Sequence, residues 1–388
     1  MTQETFQSLY ANHKESHLYH RYIYSDHLQP LLQKHKSNFK IEIIGNSVLD
    51  EPIYSIKIGS GHKKILMWSQ MHGNETTTTK AVFDICNVFA YANDEKIDNI
   101  LSQCTIVIIP MLNPDGAKVY TRVNANTIDL NRDAQELSQP ESRVLRDYFN
   151  SFQPDFCFNL HGQRTIFGAG NTNKSATVSF LSPAQDQDCT ITDTRKKAME
   201  IIAIMNENLQ QVIPNQVGIY DDAFNINCVG DTFQSLNVPT LLFEAGHYTD
   251  DYSREIVRSY IFQSLLIAID CIANKSITGE NYESYLQIPM NAKCFYDIII
   301  RNAKIETEEA YQITDIAIQF QERLVNNHID FIPIVEHIGN LEAFFGHREI
   351  DAKLQLVESD TKLPIKVVDE IVFVFINNER LALKPKNT

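Results

Sequence analysis

Of 388 residues, 34 are Lys or Arg and 49 are Asp or Glu, a formal net charge of −15 with neutral His. Nucleic-acid binding draws on a cationic surface and counterion release, and no basic run offsets this acidic balance, which argues against that class of partner. At 43% hydrophobic and 21% charged residues the chain can bury a large core, and its length points to two domains because single cores stop growing at about 250 to 300 residues.

The longest apolar stretches, residues 371–376 and the interrupted run 261–273, fall short of the roughly 20 residues that cross a bilayer, so no membrane contact is expected. The N-terminus, Met-Thr-Gln-Glu-Thr-Phe-Gln-Ser, lacks the basic start and apolar stretch of a secretory signal, which makes the cytoplasm the expected location. Seven scattered cysteines, odd in number and without a Cys-x-x-Cys pair, read as reduced thiols with no chemistry assigned.

In chain order, the first forty residues read as helix with surface His residues. Residues 40–44 and 53–58 alternate around a turn-like segment and predict an antiparallel hairpin. Residues 64–70 form a short apolar strand that runs into His72-Gly-Asn-Glu75, and residues 76–92 show helical spacing of Val82, Ile85, Cys86 and Phe89. Strand-like runs at 105–111, 155–160 and 240–244 alternate with helical segments at 194–213 and 254–273. This pattern predicts an α/β fold with a mixed, mostly parallel sheet sandwiched by helices, whose active-site groups gather beyond the strand C-termini. A linker-like change of texture at 276–289 divides a catalytic domain, 1–280, from a small β-rich C-terminal domain, 290–388. Strands are expected there at 295–301, 313–320, 331–335, 353–357 and 371–376, with one helix at most.

His72 and Glu75 stand three residues apart at a strand-to-helix turn, so both can face one ion. His161 closes the strand 156–160 and projects over the same crevice. A His, Glu and His set with an open fourth position is a donor set of catalytic zinc. Between them, Asn113-Pro-Asp-Gly116 and the segment Thr121-Arg-Val-Asn-Ala-Asn-Thr-Ile-Asp-Leu-Asn-Arg-Asp133 crowd polar residues and two Arg into one loop. One of these Arg can polarise a carbonyl and the other fork onto a carboxylate. Glu244 ends the apolar strand of Pro239-Thr-Leu-Leu-Phe-Glu-Ala-Gly-His247, where a buried carboxylate needs a partner or a function.

Taken in this order, the motifs resemble the M14 family of zinc metallocarboxypeptidases across residues 64–247. The resemblance implies one Zn²⁺ per chain on His72, Glu75 and His161, with Arg122 stabilising the oxyanion and Glu244 as general base. It further implies that Asn131 and Arg132 grip the terminal carboxylate and that Tyr220, in Gly218-Ile-Tyr-Asp-Asp222, closes on substrate. The implied reaction is hydrolysis of the C-terminal peptide bond by metal-activated water. Two departures bear on fine specificity: Asp133 follows Asn-Arg where the family often has Asn, and Thr127 stands where Gly is usual. The chain also resembles the aspartoacylase and succinylglutamate desuccinylase group, whose members share the ligand motif and carry a C-terminal β domain. The alternative substrate is therefore an N-acyl amino acid, and either class of substrate carries a free carboxylate.

Overall fold

In the computed structural model of the protein, residues 1–307, 310–361 and 363–385 are described. Two short helices, α1 (Gln3–His13) and α2 (Ser25–His35), precede the hairpin β1 (Lys40–Asn46) and β2 (Pro52–Ile58). The chain continues through β3 (Lys63–Ser69), α3 (Thr77–Tyr91), α4 (Glu95–Gln103), β4 (Cys104–Ile109), α5 (Pro114–Val119), α6 (Pro140–Phe152), β5 (Phe156–Gly162), β6 (Phe167–Ala169) and β7 (Val178–Leu181). It then forms α7 (Asp193–Leu209), β8 (Val217–Ile219), α8 (Val229–Ser235), β9 (Thr240–Ala245) and α9 (Glu255–Asn274).

The eight-stranded sheet runs β1-β2-β4-β3-β5-β9-β7-β8. Its centre, β4-β3-β5-β9, is parallel, while β2 against β4 and β7 against β9 are antiparallel. The two faces carry separate apolar cores. One gathers α3, α7 and α9 side chains such as Phe83, Ile202 and Leu266, and the other gathers Trp68, Phe149 and Phe233. Cover on both faces explains why the central strands read as near-continuous apolar runs.

Two sequence expectations in this half are corrected. His35 is buried, not on the surface, because α2 turns Leu28, Leu31, Leu32 and His35 inward at helical spacing and the ring stacks on Phe39. The apolar run near 261–273 belongs to a longer helix, since α9 is 20 residues and apolar enough by length and composition to span a bilayer. Most of it lies inside the core, where the buried Arg258 pairs with Asp84 of α3 at 2.6 Å.

The segment 276–289 is packed rather than extended. A 3-10 turn over Tyr282–Gln287 buries Tyr285, and β10 (Asn291–Lys293) then pairs with β6. Beyond it a four-stranded sheet runs β13-β12-β11-β14, with β11 (Phe295–Glu306), β12 (Tyr311–Val325), β13 (His328–Gly339) and β14 (Phe345–Asp351). A smaller antiparallel sheet joins β15 (Val357–Ser359), β16 (Phe373–Ile376) and β17 (Glu379–Ala382). The strand expected at 353–357 is instead a turn leading into β15. Lys353 and Leu354 lie in the left-handed region, and Asp351 Oδ1 accepts the Lys353 N–H. The C-terminal sheet has its own apolar core around Ile298, Ile316 and Val374, and a shared cluster of Tyr22, Tyr120, Tyr252, Ile329 and Phe331 joins it to the rest.

Candidate metal centre and substrate cleft

Because β3, β5 and β9 are adjacent and parallel, their C-terminal ends open on one crevice. β5 carries His161 and β9 carries Glu244, which are register partners across the ladder. His72 and Glu75 occupy the turn between β3 and α3, where the Glu75 N–H bonds the His72 carbonyl at 3.1 Å. Gly73 is required in that turn, since a Cβ there would lie 2.1 Å from the Gly116 main chain.

The side chains converge. His72 Nδ1 lies 2.8 Å from Glu75 Oε1, His161 Nδ1 lies 2.9 Å from Glu75 Oε2, and the two Nδ1 atoms are 3.1 Å apart. Among the described residues this is the one group of three or more His, Cys, Asp or Glu able to share an ion. The donor chemistry fits a metal. His72 Nε2 is 3.0 Å from Asp129 Oδ1, so a proton held there leaves the Nδ1 lone pair directed at the cluster. Glu75 Oε2 also accepts the Gly162 N–H at 3.0 Å, fixing the carboxylate plane.

The charges respond to this crowding. Burial alone would raise the Glu75 pKa, yet the His72 and His161 imidazoles drawn in against its oxygens hold it well below the usual carboxylate range whenever they carry protons there. Burial lowers His161, while for His72 the opposing pull of Glu75 and Asp129 outweighs burial and raises it. Glu244 is pushed up by burial first and the Glu75 charge second, with Arg122 and Arg254 acting against both. A cation at the cluster offsets the Glu75 charge and favours the ionised Glu244.

Arg122, Asp129, Asn131 and Arg132 sit on the segment after α5. Asn113 starts that helix by accepting the Gly116 N–H, and the Asn124 carboxamide oxygen accepts the N–H groups of Asn126 and Ile128. Thr127 lies at φ +61°, the left-handed region that favours Gly, so its β-branched side chain is accommodated by this local bonding. Asp133 is occupied with main-chain and hydroxyl donors of Ser138 and Gln139, a structural role that takes it out of the cleft. Arg122 reaches back to Glu75 Oε1 at 3.2 Å and Asp129 Oδ2 at 3.0 Å.

All eight side chains singled out above line one cleft of about 1070 Å³: His72, Glu75, Arg122, Asn131, Arg132, His161, Tyr220 and Glu244. Their contacts differ. Asn131 Oδ1 accepts the Val229 N–H, Arg132 is exposed and donates to the Asn131 carbonyl, and the Tyr220 ring packs 5.3 Å from Phe167. His247, three residues before Asp250, takes no part in the cluster, and its ring is buried against Tyr252 and His347.

Sequence reasoning missed Asp129, whose local signal was its place two residues before Asn131. It also missed the wall contributed by the C-terminal sheet, where Gln319, Glu322 and Arg323 of β12 line the same cleft. No local pattern marks those residues.

Residues 24–235, more than half of the chain, match the family model of zinc carboxypeptidase, peptidase M14, and the chain belongs to that family. Among curated relatives, it is 30% identical over 132 residues to Carboxypeptidase 2 of Trichophyton equinum, covering 33% of this chain and 24% of that protein. It is 37% identical over 83 residues to gamma-D-glutamyl-L-diamino acid endopeptidase 1 of Lysinibacillus sphaericus, covering 20% of this chain and 21% of that protein. The matched stretch thus spans about a quarter or less of these relatives' length. The fold is similar to that of carboxypeptidase A from Helicoverpa armigera, with a TM-score of 0.53 at 14% identity over 70% of this chain and 80% of that one.

Proposed function

We propose that this protein is a zinc-dependent metallocarboxypeptidase that removes the C-terminal residue of peptides bearing a free carboxylate. The observation that carries the reading is the convergence of His72 Nδ1, His161 Nδ1 and the Glu75 carboxylate beside Glu244, with Arg122 bonded to Glu75 in the same cleft. His72, Glu75 and His161 hold one zinc ion, which when bound supplies Lewis-acid polarisation of the scissile carbonyl and acidifies water.

Glu244, at a buried strand end, accepts the proton from the attacking water and returns it to the departing amine. Arg122 donates to the oxygen on which negative charge develops. Asp129 holds the His72 ring and the Arg122 guanidinium at once, so one carboxylate orients a ligand and a donor. Arg132 and Asn131 take the substrate's terminal carboxylate, which places the last peptide bond over the cluster. Tyr220 closes over the bound end.

The test is product identification after metal loading, on a mixed library of peptides and N-acyl amino acids. Release of single C-terminal amino acids from peptides supports the reading. Turnover confined to N-acyl amino acids would replace it with a deacylase.

A further inference from the structure

We propose that Glu322, contributed by the C-terminal sheet, is a positioning residue for Arg122, so that this sheet is a working part of the active cleft. The inference rests on the role of Arg122 given above.

The Glu322 carboxylate, one quarter exposed at the cleft wall, is a junction between two segments of the catalytic half. Arg21 Nη2 donates to Oε2 at 3.0 Å and lies 2.8 Å from Oε1 as an ion pair, and the Tyr120 hydroxyl donates to Oε2. Each partner leads to the site by a short path. The Arg21 carbonyl accepts the hydroxyl of Thr76 at 2.7 Å, and Thr76 adjoins the proposed metal ligand Glu75. Tyr120 stands two residues before Arg122.

Tyr120 is also where the direction of the Arg122 segment is set. It terminates α5 in the left-handed conformation, φ 58°, which residues with a side chain adopt reluctantly and keep only where their surroundings enforce it. The enforcing contacts are its buried ring, in the cluster with Tyr22, Tyr252 and Phe331, and its hydroxyl on Glu322. Downstream, Arg122 is itself nearly half exposed and touches only carboxylates at the site. Asp129 and Glu75 hold its guanidinium, and the main chain that delivers it to them is the one Tyr120 directs. Loss of the Glu322 junction frees the Tyr120 hydroxyl and leaves the Arg21 guanidinium on the Tyr252 carbonyl alone, and the placement of Arg122 loosens, while Asn131 and Arg132 keep their own tether at Val229 and Cys228.

The experiment uses the full chain loaded with zinc and an N-blocked dipeptide with a free C-terminus, comparing wild type, E322Q, Y120F and the double variant. Zinc content, thermal midpoint, kcat and KM are read for each. E322Q is expected to lower kcat by about 10- to 100-fold, the range typical of an outer-shell partner, with KM changed by less than about 3-fold and zinc still bound. Y120F removes one hydroxyl and leaves the Arg21 pair, so it remains informative if E322Q folds poorly. It should lower kcat by about 3- to 10-fold, and the double variant should be no slower than E322Q. The inference is overturned if kcat per zinc-loaded molecule stays at the wild-type value in Y120F or in folded E322Q, if KM rises in step with the loss of kcat, or if the two effects multiply. Absence of dipeptide turnover in the wild type would instead overturn the carboxypeptidase reading on which it rests.

Discussion

His161 and Glu244 are register partners on adjacent parallel strands, and β7 pairs Glu244 from its other side, so ladder hydrogen bonds fix the main chain that carries them. Arg122, Asn131 and Arg132 stand instead on a stretch whose regular structure is a 3-10 turn over Leu130–Arg132, held by side-chain bonds to Asp129, Asn124 and Val229. One proposed ligand and the proposed base are thus built into the sheet, the other two ligands sit on the short turn that leaves β3, and the proposed substrate-gripping residues hang from a longer segment. A metal site tolerates little displacement of its ligands, so it draws on the most rigid elements, whereas charge stabilisation and carboxylate capture tolerate a segment tuned from outside. Distant changes should accordingly disturb the second half before the first.

Removing a ligand breaks the comparison most severely. His161→Ala should abolish stoichiometric zinc binding and lower turnover by at least about 10⁴-fold, with the sheet intact. A purified variant that keeps a full equivalent of zinc after dialysis would show that the ligands are misassigned. Next in size, Glu244→Gln should keep zinc and fold but lose about 10²- to 10⁴-fold in kcat, since the amide cannot take the water proton. Near wild-type turnover would place the base elsewhere.

The hung half should fail in two distinguishable ways. Arg122→Ala should depress kcat by about 10²- to 10³-fold with a smaller change in KM, because its contact strengthens as charge develops. Arg132→Ala should mainly raise KM, by about 10- to 100-fold, a modest loss for a guanidinium that is exposed before substrate arrives. Steady-state kinetics that returned the same split for both variants would erase the distinction between the two arginines.

The smallest effect concerns the joint between the two sheets. Asp297 of β11 accepts from the Tyr252 hydroxyl and the Phe320 N–H, and burial raises its pKa to about 6. A carboxyl raised above its unfolded value contributes stability that is fully present below about pH 4 and lost as pH climbs through about 6. Glu15 and Glu255, held down at about 2, act in the opposite sense and at lower pH, where their contribution is lost as pH falls from about 4.5. Urea unfolding at pH 4.5 and 7 should therefore show a wild-type loss, relative to Asp297→Asn, on the order of 2 kcal/mol. Parallel curves for the two proteins would remove Asp297 as the source.

Much of the rigid half was legible in the sequence. His72 and Glu75 are three residues apart, and His161 and Glu244 each close an apolar run that can only be a buried strand, so local spacing and strand polarity together bring them to one crevice. The hung half was legible as residue types without their bonds. That Asp129 serves His72 and Arg122 at once depends on a fold-back between segments 57 residues apart. The C-terminal wall was hidden for a stronger version of the same reason. Glu322 meets Tyr120 across 202 residues of chain, in an alternating β-strand where an acidic side chain reads as solvated. β14 escaped notice because its burial is only partial and its ladder, parallel to β11, is set by a partner some fifty residues earlier.

The most direct measurement of the central claim is cleavage of one N-blocked dipeptide, as the free acid and as its C-terminal amide, by the zinc-loaded wild-type protein. The account predicts release of the terminal amino acid from the free acid, and a kcat/KM for the amide lower by at least about 10-fold because Arg132 has no carboxylate to hold. Equal cleavage of the two, with zinc bound, would contradict it.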